Sequence, residues 1–347
     1  MNDYLPAIID YLTGTELPGV PGWALHEPFS VAPLAQGEYN MNYIISQGPN
    51  RWVLRANVDT QIDRDDQILY EYRALRLLAP SGVTPRPYYV DASEERFPLG
   101  LLIMEYLPGE PLDYERDLTA AARLFARIHA LDVPATENHL IRERAPLSET
   151  FEESTRLLAT YLDSPLADPA LVAYFHEVLA WADAARRAER FFVEDPWPCI
   201  INTEVNSGNF IANREADTLH LVDWEKPLWG DPSQDLSHFC VPTTTLWKTG
   251  YRMSANARRA FLDAYRAAIP DAHLRDTIGE RVRLRDPFNC LRGISWSAYA
   301  WVAYQSGDHQ LRNEDTFRTV SRYLDIGFVR SLFDPFLENQ PERLWHA

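Results

Sequence analysis

Lysine is almost missing from this chain of 347 residues: Lys226 and Lys248 are the only two among 33 basic residues. The basic residues are outnumbered by 50 acidic ones, giving a net charge of −17. No basic cluster exists to neutralise phosphates along a polymer, which argues against a nucleic-acid partner. The acidic balance suits a cationic acceptor such as an amine or amino sugar, but an organism whose proteins are acidic and arginine-biased throughout is the preferred explanation. Cysteine is scarce as well. Cys199, Cys240 and Cys290 are odd in number and lack C-x-x-C spacing, which speaks against a disulfide framework and a zinc site. No apolar run approaches a membrane span, and residues 1–21 lack a basic stretch followed by an apolar core. A cytoplasmic protein without membrane contact is expected.

What is present is ordinary for a globular chain: 46% hydrophobic and 24% charged residues. The length suits two domains or one bilobal unit with a real core. From residue 30 the pattern reads strand 31–34, polar loop 35–40, strand 42–46, turn 47–50 and strand 52–56. Arg55 stands two residues after Val53 and shares its face. Acidic residues at Asp63, Asp65 and Asp66 suit a helix start. Ile68, Tyr72, Leu75 and Leu78 then give a helical apolar stripe, which Pro80 ends. Glu71 lies on that stripe, three residues after Ile68 and four before Leu75, so it points inward. An inward carboxylate needs a partner, and Arg55 is the candidate.

The apolar strand 101–104 breaks abruptly into Glu105-Tyr106-Leu107-Pro108-Gly109, which reads as a boundary between an N-terminal part, 1–105, and a C-terminal part, 106–347. Beyond it the pattern is mostly helical, at 118–131, 151–162, 169–190, 255–268, 285–304 and 316–333. The informative stretch is 201–239. Runs at 209–212 and 219–222, joined by a turn-rich 213–217, read as a β-hairpin. Asn209 enters its first strand and Asp223 leaves its second, so antiparallel pairing sets them side by side. Glu204 lies five residues before Asn209. A carboxylate, an Asn five residues on and an Asp across a hairpin is the layout of a phosphoryl-transfer site: the first orients an attacking hydroxyl, and the others hold magnesium on nucleotide phosphates.

This stretch resembles the catalytic segment of the aminoglycoside phosphotransferase and choline kinase-like family. That family reads His-Gly-Asp-x-His-x-x-Asn, a hairpin, then Asp-Trp; here the positions are Asn202-Thr203-Glu204-Val205-Asn206-Ser207-Gly208-Asn209, then Asp223-Trp224. Glu replaces the usual catalytic Asp, and Asn replaces both His. The resemblance runs from Val31 to about Tyr304. It implies an α+β, bilobal, protein-kinase-like fold with a small antiparallel-sheet N-lobe and a larger, mostly helical C-lobe. It also implies ATP or another nucleoside triphosphate, Mg2+ and a small-molecule hydroxyl acceptor.

Residue by residue, the resemblance implies Glu204 as the catalytic carboxylate, with Asn209 and Asp223 on the metal. Arg55 would contact the α- and β-phosphates and pair with Glu71. Gly37 would sit in a phosphate-covering loop, where an ordinary hairpin turn reads equally well. Met104, Glu105 and Leu107 would meet the adenine. Asp235, one turn into a helix whose start reads as an Asp231-Pro232-Ser233-Gln234 capping box, would brace the catalytic loop through backbone N–H groups. Trp296, Tyr299, Trp301 and Tyr304 fit either a cation site, with Asp286, Glu314 and Asp315 as acidic companions, or a helical core. The expected activity is an ATP-dependent phosphotransferase acting on a sugar, amino sugar or amino alcohol. A catalytically silent, nucleotide-binding relative acting through partners is the alternative, and a divergent transferase using the same phosphate site is a third reading.

Overall fold

The computed structural model describes residues 4–37, 39–60, 64–136, 138–306 and 314–338. Glu38 of the polar loop and Asp63 of the helix start therefore lie outside the described residues. In chain order, α1 (Leu5–Thr13) precedes the strands β1 (Ser30–Gln36), β2 (Asn40–Gln47) and β3 (Asn50–Asn57). Helix α2 (Gln67–Leu78), β4 (Pro87–Asp91) and β5 (Gly100–Glu105) follow. Next come α3 (Tyr114–His129), β6 (Ile141–Arg142), α4 (Pro146–Leu162), α5 (Pro169–Ala185), α6 (Arg190–Glu194) and β7 (Cys199–Ile201). The hairpin β8 (Phe210–Asn213) and β9 (Thr218–Leu221) leads to β10 (Leu228–Gly230), α7 (Ser233–Cys240) and α8 (Pro242–Thr245). Helices α9 (Ala255–Ala268), α10 (Ala272–Ser306), α11 (Glu314–Tyr323) and α12 (Ile326–Leu337) complete the chain. The fold is α+β, with an antiparallel sheet toward the N-terminus and a helical C-terminal part.

The chain forms two compact units. One comprises residues 1–112, 131–141 and 209–227; the other comprises 113–130, 142–208 and 228–347. The β8–β9 hairpin thus groups with the N-terminal sheet, whereas the sequence reading divided the chain once, at residue 105.

In the first unit five antiparallel strands run in the order β1-β2-β3-β5-β4. Strand alternation sends Trp52, Leu54 and Ala56 of β3 to one face, where they pack with Tyr43, Ile45, Leu101 and Ile103 beneath α1. The intervening Val53 and Arg55 take the opposite face, and both are buried. Helix α2 lies close there: a Cβ on Gly100 would come within 2.5 Å of Ile68 Cγ2, so only glycine admits the helix at that point. A sheet covered on both faces explains the unbroken apolar run at 101–104.

The second unit is held by a core in which Leu147 and Leu158 of α4, Phe175 and Val178 of α5, and Phe288 and Ile294 of α10 are all buried. Helix α10 is 35 residues long and carries Pro287 inside it. The sequence reading started it only at residue 285 and ran α11 and α12 together as one helix. Its polar N-terminal half looks solvent-facing, yet Arg281 and Arg285 are fully buried. Arg281 pairs with Asp231 at 2.6 Å, and Arg285 pairs with Glu143.

Candidate active site

Strand β3 carries Arg55 into the interior of the first unit. Its Nη1 donates to Glu71 Oε1 at 2.6 Å and to Asp223 Oδ1 at 3.0 Å, and its Nε donates to Asn42 Oδ1 at 3.0 Å. Asn42 is the direct cross-strand partner of Arg55. Desolvation opposes the Arg55 charge, but the carboxylates of Glu71, Asp223 and Glu225 outweigh it and hold its pKa above the ordinary guanidinium range. Burial is also the main influence on Glu71 and pushes its pKa upward against the attraction of Arg55.

The hairpin supplies the third member. Phe210 pairs with Leu221 and Asn213 with Thr218, so the first strand starts and ends one residue later, and the second one residue earlier, than the runs read from the sequence, while the register those runs imply is kept. Asn209 precedes β8 in a short 3-10 turn, and its carbonyl accepts from Val222 N–H at 2.8 Å. Asp223 follows with φ of 64°, a left-handed backbone that Asp tolerates better than most residues. Fully buried Trp224 locks the turn by donating from Nε1 to the Leu221 carbonyl at 2.9 Å.

Glu225 was not foreseen. It is buried, and one of its carboxylate oxygens lies within 4.8 Å of one of Asp223. The Asn40 side-chain amide donates to it, and Gln67 donates to its backbone carbonyl. Asn40 in turn accepts from Asn57 Nδ2 at 3.0 Å, and Tyr70 donates to the Pro227 carbonyl at 2.6 Å. The sequence held one signal for Glu225: beside an Asp-Trp pair, a carboxylate two residues on shares the side of Asp223.

The remaining expected nucleotide residues also lie in this unit. Gly37 N–H donates to the Asn40 carbonyl at 2.9 Å and so closes the β1–β2 turn. Met104 is buried on β5 opposite Val53. Glu105 N–H donates to the Arg86 carbonyl at 2.9 Å, and half-buried Leu107 follows outside any strand. Gly109 then runs against the hairpin: a Cβ there would meet the Ala212 carbonyl oxygen at 2.7 Å. Glu110 and Ala212 exchange backbone hydrogen bonds of 3.0 and 2.8 Å.

Glu204 and Asp235 belong to the second unit. Glu204 is half-buried in the loop after β7. Buried Asp235 accepts from the Asn202 and Thr203 N–H groups at 2.8 and 2.9 Å. Asn202 Oδ1 accepts from Glu204 N–H at 2.9 Å, and Asn206 Oδ1 accepts from Gly208 N–H at 3.0 Å. Both asparagines thus act as local turn formers, each binding the amide two residues on. The reciprocal capping box does not form. Asp231 Oδ1 accepts from Ser233 N–H, but the Asp231 N–H goes to Glu143 and Gln234 Oε1 has no partner.

Three aromatics of α10, Trp296, Trp301 and Tyr304, pack in one apolar cluster with Trp247 and Phe317. Trp296 meets Trp247, Trp301 meets Tyr161 and Tyr304 meets Phe317, while Tyr299 is exposed. Asp286 accepts from Ser237 at 2.8 Å and from Arg258 at 2.5 Å. Asp315 pairs with Arg318 at 3.2 Å, and Glu314 opens α11.

Comparison with known proteins places this geometry in context. Acyl-CoA dehydrogenase family member 10 of Mus musculus is 24% identical over 242 residues, 65% of this chain and 21% of that protein. The chain therefore spans about a fifth of that relative's length. Thiamine kinase of Escherichia coli is 24% identical over 286 residues, 80% of this chain and 86% of that protein. Choline kinase of Cryptosporidium parvum has a similar fold, with a TM-score of 0.63 at 14% identity over 96% of this chain and 99% of that one. Among the described residues no helix is long and apolar enough to cross a membrane. Residues 30–276 match the family described as phosphotransferase enzymes, a span that takes in Arg55, Glu71, Glu204, Asn209, Asp223 and Asp235; the chain belongs to the phosphotransferase enzyme family.

Proposed function

We propose that this chain is an ATP-dependent small-molecule kinase that phosphorylates a hydroxyl group of a sugar, amino sugar or amino alcohol in the cytoplasm. The observation that carries the reading is the Arg55–Glu71–Asp223 cluster. A guanidinium held by a helix carboxylate is aligned, permanently charged and suited to bidentate phosphate contact. Thiamine kinase and choline kinase among the similar proteins support an alcohol acceptor on a nitrogen-bearing small molecule.

The donor set around the hairpin fits magnesium: Asn209, Asp223 and Glu225 offer hard oxygen ligands and negative charge, with no cysteine or histidine of the described residues in the set. Asn209 and Asp223 would hold the ion, which when bound neutralises charge on the transferring phosphoryl group. Arg55 orients the α- and β-phosphates, and Glu71 fixes Arg55. Met104, Glu105 and Leu107 bound the adenine pocket, with Gly37 in the covering turn. Glu204 accepts a hydrogen bond from the acceptor hydroxyl and aims it for attack, taking its proton as the new O–P bond forms and the bond from the γ-phosphorus to the bridging oxygen breaks, releasing ADP. Because the transition state is loose, positioning and charge do most of the work, and Glu serves where relatives use Asp.

The test is ATP consumption across a panel of amino alcohols, amino sugars, sugars and nucleosides. One acceptor is expected to give turnover above the rate with water, and to require Mg2+. Tight ATP binding with no transfer to any acceptor would sink the enzyme reading in favour of a silent relative.

A further inference from the structure

We propose that Arg292 and His238 are positioning residues for phosphoryl transfer: they hold the peptide between Thr203 and Glu204 in a strained conformation that aims the Glu204 carboxylate. The inference rests on the kinase reading of Glu204. Thr203 has φ of 73°. This left-handed conformation favours glycine, and for a β-branched residue it is a clear outlier. Such strain persists only where the surroundings fix the peptide from several sides.

The surroundings of Thr203 do this. Its N–H donates to Asp235 Oδ1 at 2.9 Å, the contact that fixes the incoming side. Its carbonyl, the outgoing side, accepts from Arg292 Nη1 at 2.9 Å. The His238 ring hydrogen bonds to the same backbone, while its buried Nδ1 has no partner. Burial and the neighbouring Arg292 charge push the His238 pKa down to about 3, so the ring stays neutral and keeps one fixed tautomer at neutral pH. Arg292 is itself anchored, its Nε lying 3.6 Å from Glu153 Oε2 on α4. Helices α4, α7 and α10 therefore converge on one carbonyl. Rotation about the Thr203–Glu204 backbone is the motion that would carry the Glu204 carboxylate away, and a charged donor at the carbonyl opposes it.

The test compares wild type with Arg292→Met, Thr203→Gly and the double variant. Hydrogen exchange of the 199–208 segment reads the loop directly and needs no acceptor. Arg292→Met is expected to speed exchange at Asn202 and Thr203 by about tenfold, while peptides of α4 and α5 stay protected. In the Thr203→Gly background the same substitution should have a much smaller effect, because glycine holds the left-handed conformation without help. Turnover, read as ATP hydrolysis or with an acceptor from the panel, should fall about 10- to 100-fold in kcat for Arg292→Met, with KM for ATP unchanged. Arg292→Lys should recover part of it. Unchanged exchange in Arg292→Met, or an equal effect with and without Thr203→Gly, overturns the proposal. Faster exchange in a protein that never turns over would show that Arg292 holds the Thr203–Glu204 peptide but refute the kinase reading, and with it the role in phosphoryl transfer.

Discussion

Replacing Glu71 by Leu leaves Arg55 buried without its nearest carboxylate. Arg55 is 5% exposed and Glu71 2%, so water cannot take over the lost partner. Two unit charges about 4 Å apart interact by about 4 kcal/mol at an effective dielectric of ~20. Removing one member of a buried pair costs ~3–5 kcal/mol in practice. Asp223 at 3.0 Å and Asn42 at 3.0 Å remain, although the Asp223 side chain is 28% exposed and screened. The lower end, about 3 kcal/mol, is therefore expected. With an unfolding entropy of ~2.1 cal/mol/K per residue, a cooperative chain of 347 residues has ~0.7 kcal/mol/K, so Tm should fall by about 4 °C. If the first unit melts by itself, its smaller entropy makes the drop larger. Arg55→Met combined with Glu71→Leu should cost far less than the two single changes together, because an apolar pair replaces an ionic one of similar volume.

The single Arg55→Met adds a pH signature. Burial already pushes the Glu71 pKa up, and losing Arg55 raises it further. Above the unfolded carboxyl value the unfolded state releases that proton while the folded state keeps it, so the penalty grows with rising pH and shrinks on acidification. Thermal unfolding followed by circular dichroism at pH 5 and pH 7.5 reads both effects. Strict additivity in the double-mutant cycle, to within ~0.5 kcal/mol, would mean that the two side chains are not coupled.

Three further outcomes are expected. Asp223→Asn keeps the left-handed backbone that Asn tolerates but removes the charge; calorimetry should show weaker Mg-ATP binding, with a stability loss of only ~1 kcal/mol, and unchanged affinity would remove Asp223 from the metal site. Glu204→Gln should abolish turnover and spare nucleotide binding, while Glu204→Asp, which withdraws the carboxylate by about one methylene, should slow single-turnover transfer by up to ~100-fold; a wild-type rate in Glu204→Gln would exclude Glu204 from the chemistry, and one in Glu204→Asp would show that the loop tolerates the shorter reach. His238 has a folded pKa near 3 against 6.5 when unfolded, so only the unfolded chain takes up its proton between those values. Stability should fall by about 1.4 kcal/mol through this group between pH 7.5 and 5.5, a slope that His238→Gln should remove from the melting curves.

How far the sequence reached follows from which interactions are local. The Arg55–Glu71 pair was legible because strand and helix periodicities each point one residue inward, and two buried opposite charges need one another. The hairpin was placed to within one residue, since turn residues blur strand ends. What stayed hidden depends on distant partners. Arg281 and Arg285 look like a solvated helix face until Asp231 and Glu143 arrive beside them. The Asp231 capping box matched its pattern, yet Glu143 competes for the same N–H. The strain at Thr203 has no local signature, because a left-handed threonine is imposed from outside by Asp235, Arg292 and His238.

The pairing of Arg55 with Asp223 also sets a timetable. The two residues are 168 positions apart, and every strand of the N-terminal sheet is made before the hairpin. At about 5–20 residues per second the ribosome delivers Asp223 roughly 10–30 s after Arg55. Arg55 and Glu71 can meet early, since only a short segment separates them. Their unit stays incomplete until residue 227 has emerged, because the 209–227 segment belongs to it. A nascent chain therefore carries a finished sheet with an open charged socket from residue 105, where β5 ends, until residue 227 is made, about a third of its synthesis. The final element to enter that socket is the one bearing the proposed metal ligands, so assembly of the proposed phosphate site coincides with completion of the unit.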